Sequence, residues 1–377
     1  MKSWNAFRRP CVAFGSIVFT VIICMVSAFA PVKAGAEELM LGFYSFADKA
    51  AIDALSGTSI QYVMPYGTDG TKEEKYLREY LDYAAGKKVK VIFSLKDVYL
   101  ESQWHPAITW CPTGDEKAFI DCIIGKFGGH EAVAGWYFCD EPTNLFGRLK
   151  AGKLDANSRF IRANSAKPIF AEEVNPPKGK YWDRLAGDAD FFMTAVYPVP
   201  DKPLSSVYPP IRDLKEKYDR PVIAVLQVFA KKNVPYFKMD GDAGRPPSYE
   251  EERAMSYLAL LAGAKGIFYY SMFQLKKLDD WQERMKRLSE LGDELKGNWP
   301  VIASTAKTLG SYGVRPDEGA YAELRNSGGK DYLFAVNSTQ SAARVRLEGR
   351  DAGGKPVNKT VTLDKFGVKL MPIAEIN

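Results

Sequence analysis

Two adjacent carboxylates, Asp140 and Glu141, end an apolar run in the stretch GWYFCDEP at 135–142, and Pro142 follows them at once. Buried ionised carboxylates are costly and neighbouring ones repel, so the pair belongs where a strand opens onto a polar cleft. Side by side, two acids can divide the work of proton transfer, because the charge of one holds a proton on the other to higher pH. A second acidic pair, Glu172 and Glu173, ends the run PIFAEEV, and Lys96 and Asp97 end VIFSLKD. Side chains alternate along a strand, so only one of Glu172 and Glu173 can face a cleft. Other chemistries have little to stand on. With His105 and His130 the only histidines, a Ser-His-Asp triad or a multi-histidine metal site would depend on one or both. No CxxC pair is present, which argues against structural zinc. Cys139 reads as a buried strand cysteine, with a nucleophile as the alternative. The expected chemistry is carboxylate proton transfer, with no metal and no cofactor.

These residues need strands to carry them. Eight short runs rich in β-branched and aromatic residues begin near positions 39, 59, 89, 132, 168, 190, 221 and 266, with amphipathic helical stretches between most of them. In one such stretch Tyr76, Leu77, Tyr80, Leu81 and Ala84 share a face at helical spacing. In another, Ser248 and Glu251 form an S-x-x-E capping signature. Strand–helix alternation argues for parallel pairing, and the span of this region suits a (β/α)₈ TIM barrel. A doubly wound sheet would favour a glycine-rich turn after the first strand, and GFYSFADKAA has none. From about residue 301 the pattern changes to period-two alternation broken by Gly, Asn and Asp, the mark of a small antiparallel β domain. The expected organisation is a leader over 1–36, a barrel over 37–300 and a sandwich-like β domain over 301–377.

The leader is expected from Lys2, Arg8 and Arg9 preceding a long apolar run, then small residues up to Ala34 and Ala36. It reads as a cleaved signal peptide, giving a secreted or periplasmic protein without a membrane span in the mature chain. An uncleaved N-terminal membrane anchor is the alternative. Loss of that segment removes Lys2, Arg8, Arg9 and Lys33 and brings the net charge from +5 close to neutrality. Such a balance gives no basic footprint for nucleic acid. An oxidising compartment would permit a bridge between Cys111 and Cys122. The sequon at Asn337 carries little weight by itself.

In a barrel of this kind catalytic groups stand at the C-terminal strand ends. That rule gathers Tyr66, Lys96, Asp97, Asp140, Glu141, Glu172, Glu173, Tyr197, Gln227, Tyr269 and Tyr270. Hydroxyl-rich rings are recognised by such polar groups together with aromatic faces. GWYFCDEP resembles the fourth-strand signature of the large superclan of retaining (β/α)₈ glycoside hydrolases, where the strand commonly ends Asn-Glu-Pro. The stretch PPSYEEERAMSYLALLAGAKGIFYYSMF is similar to the seventh-helix and eighth-strand region of β-galactosidase-related members. The resemblance implies a carbohydrate substrate, Glu141 as general acid/base and Asp140 in place of the asparagine that contacts a sugar hydroxyl. Asp97, Gln227, Tyr66, Tyr197 and Tyr270 become substrate contacts. Pro142 would keep Glu141 extended at the rim. One departure is large. The superclan's nucleophile is a glutamate ending strand seven, and Gln227 stands there. Either Glu172, Glu173 or Asp97 replaces it, or the enzyme inverts, or the chain is a carbohydrate-binding barrel that no longer hydrolyses.

Overall fold

The structure, a computed structural model, describes residues 38–66, 73–99, 108–145, 151–176, 178–239 and 241–376. The expected leader, His105 and Trp104 lie outside the described residues. The eight apolar runs form strands β1 (Met40–Ser45), β2 (Tyr62–Pro65), β3 (Lys90–Ser94), β4 (Val133–Cys139), β5 (Ile169–Glu172), β6 (Phe191–Val196), β7 (Val222–Gln227) and β8 (Gly266–Tyr270). They pair in parallel, each with the next, and β8 closes on β1 through Met40–Gly266 to Phe43–Tyr269. The expected (β/α)₈ barrel is the observed architecture.

Alternation along each strand divides the core into two layers. Tyr44, Met64, Ile92, Tyr137, Phe170, Met193, Ile223, Val225 and Phe268 fill the barrel. Their outward neighbours, such as Phe43, Val63, Trp136, Ala224 and Ile267, pack against the helices. The helix predicted from its capping signature runs Tyr249–Leu261, with both halves of the capping box formed between Ser248 and Glu251. Cys111 and Cys122 are joined by a disulfide, and Cys139 is free and buried.

Filling the barrel with large rings requires one small position. Gly42 on β1 faces Phe268, and a Cβ there would sit 2.5 Å from the ring. Because that ring is wholly buried against Tyr44 and Tyr62, it has no free space to enter. Gly42→Ala is therefore expected to destabilise the chain by about 1–3 kcal/mol through overpacking. A denaturant midpoint unchanged from wild type would show that the interior can shift.

The chain leaves the barrel through the helix Trp281–Ile302 and forms two three-stranded antiparallel sheets. One contains β9 (Ser311–Pro316), β12 (Ala343–Arg350) and β13 (Pro356–Leu363), and the other β10 (Ala320–Ser327), β11 (Lys330–Asn337) and β14 (Val368–Pro372). Strand β11 is buried on both faces. Leu333 and Ala335 face the other sheet with Val345, Leu347 and Leu363, whereas Phe334 and Val336 join the barrel's helical layer. Tyr208 stacks on Tyr321 at 4.5 Å and Arg212 pairs with Glu323 at 2.9 Å across the same junction. Asn337, the sequon asparagine, is buried with its amide nitrogen donating to the carbonyls of Ser341 and Asp364.

Candidate active site

The decisive local feature is a break in alternation on β4. Its pairing with β5 shifts register between Tyr137 and Cys139, so Phe138 and Cys139 both face the helices. A bulge of this kind re-aims the residues beyond it. Strict alternation from Tyr137 would have turned Asp140 outward; with the shift, Asp140 joins Tyr137 on the inside. The Tyr137 hydroxyl lies 2.8 Å from Asp140 Oδ1, and the Tyr66 hydroxyl donates to Asp140 Oδ2 at 2.7 Å.

Glu141 follows in an unusual conformation. Its φ is +39°, and its backbone N–H donates to the carbonyl of Glu172 at 3.0 Å. The extended backbone expected before Pro142 is thus not adopted: β5 captures the amide and turns the chain outward into the short helix Pro142–Leu145. A left-handed non-glycine residue costs about 1–2 kcal/mol, and such outliers gather at functional positions. The side chain is partly exposed, and Asn144 Nδ2 donates to its Oε2 at 3.1 Å. Burial first, then the charge of Asp140, pushes the Glu141 carboxyl up to about 7, against the opposing Asn144 contact.

The acidic pair on β5 separates as alternation requires. Glu172 points into the barrel, where its Oε2 contacts the hydroxyls of Tyr44 and Tyr137, the latter at 2.9 Å. Burial, followed by the charges of Asp140 and Glu141, lifts it well above the ordinary carboxylate range. Glu173 lies on the other face, held by the Thr143 hydroxyl at 2.7 Å and the Val174 N–H at 2.7 Å. That placement takes Glu173 away from the barrel mouth and makes Glu172 the inward member. The Glu173 carboxyl is raised by burial, with those donors acting against the rise.

Around these carboxylates stand rings and two buried lysines. Tyr270 lies 5.4 Å from Tyr44, 5.9 Å from Tyr66 and 5.6 Å from Tyr197, ring centre to ring centre. Tyr269, the other tyrosine considered at this strand end, faces the helices, where its hydroxyl meets Ser256 at 3.2 Å. Lys96 Nζ pairs with Asp97 at 2.8 Å and sits 4.5 Å over the Tyr66 ring. Asp97 is therefore present at the mouth with its charge already balanced. Lys231 pairs with Asp201 and lies over Phe237.

Gln227 reaches the end of β7 as expected, yet its amide is fully engaged by backbone. The Val199 N–H donates to Oε1 at 3.0 Å, and Nε2 donates to the carbonyls of Val199 and Phe229 at 2.8 and 3.0 Å. It is completely buried and braces the connection after β6.

Sequence reasoning missed several participants. Nothing in the sequence marks Tyr44 and Tyr137 as carboxylate partners, and counting in twos back from Asp140 would turn Tyr137 outward, because the bulge intervenes. Tyr236, with 64% of its surface exposed, is hydrogen-bonded to Tyr270, and Phe46 stacks on Phe273 at 4.6 Å with 48% exposed. These come from loops beyond the strands, where no periodicity reports position. Among the described residues, no cluster of His, Cys, Asp and Glu is arranged to hold a metal ion, and no helix is long and apolar enough to cross a membrane.

A closed parallel barrel carrying an acidic pair at the end of β4 and a small C-terminal β domain has the fold of the (β/α)₈ glycoside hydrolases. Among solved structures it is similar to a β-galactosidase from a Rahnella species, with a TM-score of 0.62 at 10% identity over 89% of this chain and 98% of that one. A β-galactosidase from Bacillus circulans gives 0.61 at 8% identity, over 89% and 99%. A family 5 glycoside hydrolase from Bacteroides vulgatus gives 0.55 at 12%, over 89% and 85%. No protein-family model matches the chain, and no curated protein matches its sequence. Identities this low speak for the fold alone, and the activity rests on the chemistry of the site.

Proposed function

We propose that the chain is an exported glycosidase acting on an extracellular or cell-envelope polysaccharide, with Glu141 as its general acid. The observation that carries this reading is the state of Glu141: partly exposed at the end of β4, beside Asp140, with its carboxyl pushed up to about 7. An acid held near the working pH is suited to protonating a leaving-group oxygen. Asp140 keeps that proton in place by its charge. Its two oxygens, already accepting from Tyr66 and contacting Tyr137, retain lone pairs for a sugar hydroxyl. Tyr66, Tyr197 and Tyr270 supply ring faces at the mouth. Export is supported by the apolar leader in the sequence and by the Cys111–Cys122 bridge, which suits an oxidising compartment.

A second reading, a carbohydrate-binding barrel without hydrolysis, is favoured by Gln227, whose buried amide leaves no carboxylate at the β7 position. Reducing-sugar release from a panel of bacterial and plant polysaccharides, run beside calorimetric binding, separates the two. Release identifies the hydrolase; binding without release establishes the binder. Silence in both assays would remove carbohydrate from consideration.

The titration of Glu141 sets the expected pH profile. Raising pH through about 7 ionises the acid in the free chain, so kcat/KM should fall about tenfold per pH unit on the alkaline side. A profile that instead rises through neutrality and stays high would assign Glu141 the role of base.

A further inference from the structure

The contacts inside the barrel mouth permit a count of protons. Tyr44 and Tyr137 both meet Glu172 Oε2, Tyr137 also meets Asp140 Oδ1, and Tyr66 meets Asp140 Oδ2. That makes four hydrogen-bond contacts among three tyrosines and two carboxyl groups. A tyrosine hydroxyl has one proton to donate, and an ionised carboxylate has none. Burial and the surrounding acids push the tyrosines upward, so all three keep their protons. Three tyrosyl protons make three two-centre bonds, so either Tyr137 splits one proton between two carboxylates or a fourth proton rides on a carboxyl. The second arrangement spares Glu172 and Asp140 from facing each other as two buried ionised carboxylates.

We infer that Glu172, Tyr137 and Asp140 form a proton relay, with one proton resting on Glu172 and free to pass through Tyr137 to Asp140. At rest the Glu172 O–H donates to the Tyr137 oxygen, and the Tyr137 O–H donates to Asp140. Tyr66 donates to the second Asp140 oxygen, and Tyr44 donates to Glu172. Every contact is then satisfied, and Asp140 is the one ionised group of the pair, with a donor on each oxygen. The reverse arrangement is equally complete. The Glu172 proton moves to Tyr137 as the Tyr137 proton moves to Asp140, for a net transfer of one proton with no other bond altered. Glu172 thereby becomes a proton store, which distinguishes it from the nucleophile that its sequence position suggested.

The consequence for turnover rests on the reading of Glu141 as proton donor; the count itself does not. While Glu141 is protonated, ionised Asp140 beside it keeps it so. Once Glu141 has given its proton away, two adjacent negative charges would face each other. Transfer through Tyr137 neutralises Asp140 and places the charge on Glu172, one strand away, removing that repulsion.

The test is infrared spectroscopy of substrate-free protein at pH 7, in the Glu141→Gln background so that Glu141 contributes nothing. One C=O stretch of a protonated carboxyl is expected to disappear on adding Glu172→Gln, while that of Glu252, whose buried carboxyl is pushed up to about 8, should remain. The Glu172 band should shift in frequency on adding Tyr137→Phe, which removes its hydrogen-bond acceptor. Isotope-labelled glutamate in the Glu141→Gln protein should move the band, and only the Glu172 component should respond to Tyr137→Phe, which keeps the test available if Glu172→Gln fails to fold. Absence of the Glu172 band, its response to labelled aspartate instead of glutamate, or its indifference to Tyr137→Phe would each overturn the proposal. Because no sugar is present, a chain that shows the band but releases no sugar overturns the glycosidase reading and leaves the relay standing.

Discussion

Glu141→Gln is expected to abolish polysaccharide hydrolysis, lowering kcat by about 10²–10⁴-fold, while leaving the chain folded and able to bind. The amide preserves the side-chain shape and can still meet Asn144, but it has no proton to give. The same substitution should raise stability at alkaline pH. Glu141 has its carboxyl lifted from the ordinary 4.5 to about 7 in the folded chain. A group with a raised folded value binds its proton more tightly in the native state than in the unfolded one. Its penalty is absent below the unfolded value, grows as pH rises between the two, and is complete above about 7. Removing the carboxyl should therefore stabilise the protein by about 1–3 kcal/mol at pH 8 and by little at pH 4. Thermal melts at the two pH values, paired with reducing-sugar assays, check both halves. Equal melting shifts at both would mean that the charge is not the cause, and retained release would remove Glu141 from the chemistry.

Gln227→Glu is the substitution that the family resemblance invites, since it restores the missing carboxylate at the end of β7. It is expected to fail. Nε2 of Gln227 donates to the carbonyls of Val199 and Phe229, and a carboxylate oxygen there would point a negative charge at two acceptors. No solvent reaches the position. The loss should be about 3–5 kcal/mol, the range for an uncompensated buried charge or broken buried network, with no gain in kcat. A shift in denaturant midpoint at constant slope is the measurement. A stable variant with faster hydrolysis would show that the new carboxylate swings to the substrate, and would mark Gln227 as a lost nucleophile.

The barrel was legible because its signal is repeated. Eight strand runs and the capping box at Ser248 each point to the same architecture, so an error in any one would not have changed the conclusion. The acidic pair was legible because an apolar run that ends in two acids and a proline suits a strand stopping at a polar cleft and suits little else. What stayed hidden depends on register and on backbone conformation. Counting in twos cannot foresee the bulge at Phe138 and Cys139, and only that bulge turns Asp140 toward Tyr137. The proline rule suggested an extended Glu141, but a tertiary hydrogen bond to Glu172 overrode it. Gln227 was placed correctly along its strand, whereas two of its three amide contacts are to Val199 on the connection after β6, 28 residues away. The tyrosines around Glu172 come from different strands, and sequence spacing carries no information about that meeting.

Strand β11 has a bearing on how the molecule comes apart. Its even-numbered residues Phe334 and Val336 belong to the core of the barrel, and Leu333 and Ala335 to the core of the sheets. One strand cannot melt from one of these cores while remaining native in the other. The two regions, distinct in architecture, should consequently share a single calorimetric transition. A protease cut in the connection after Ile302 should leave the fragments associated, and neither half should be inherited or engineered as a free-standing module.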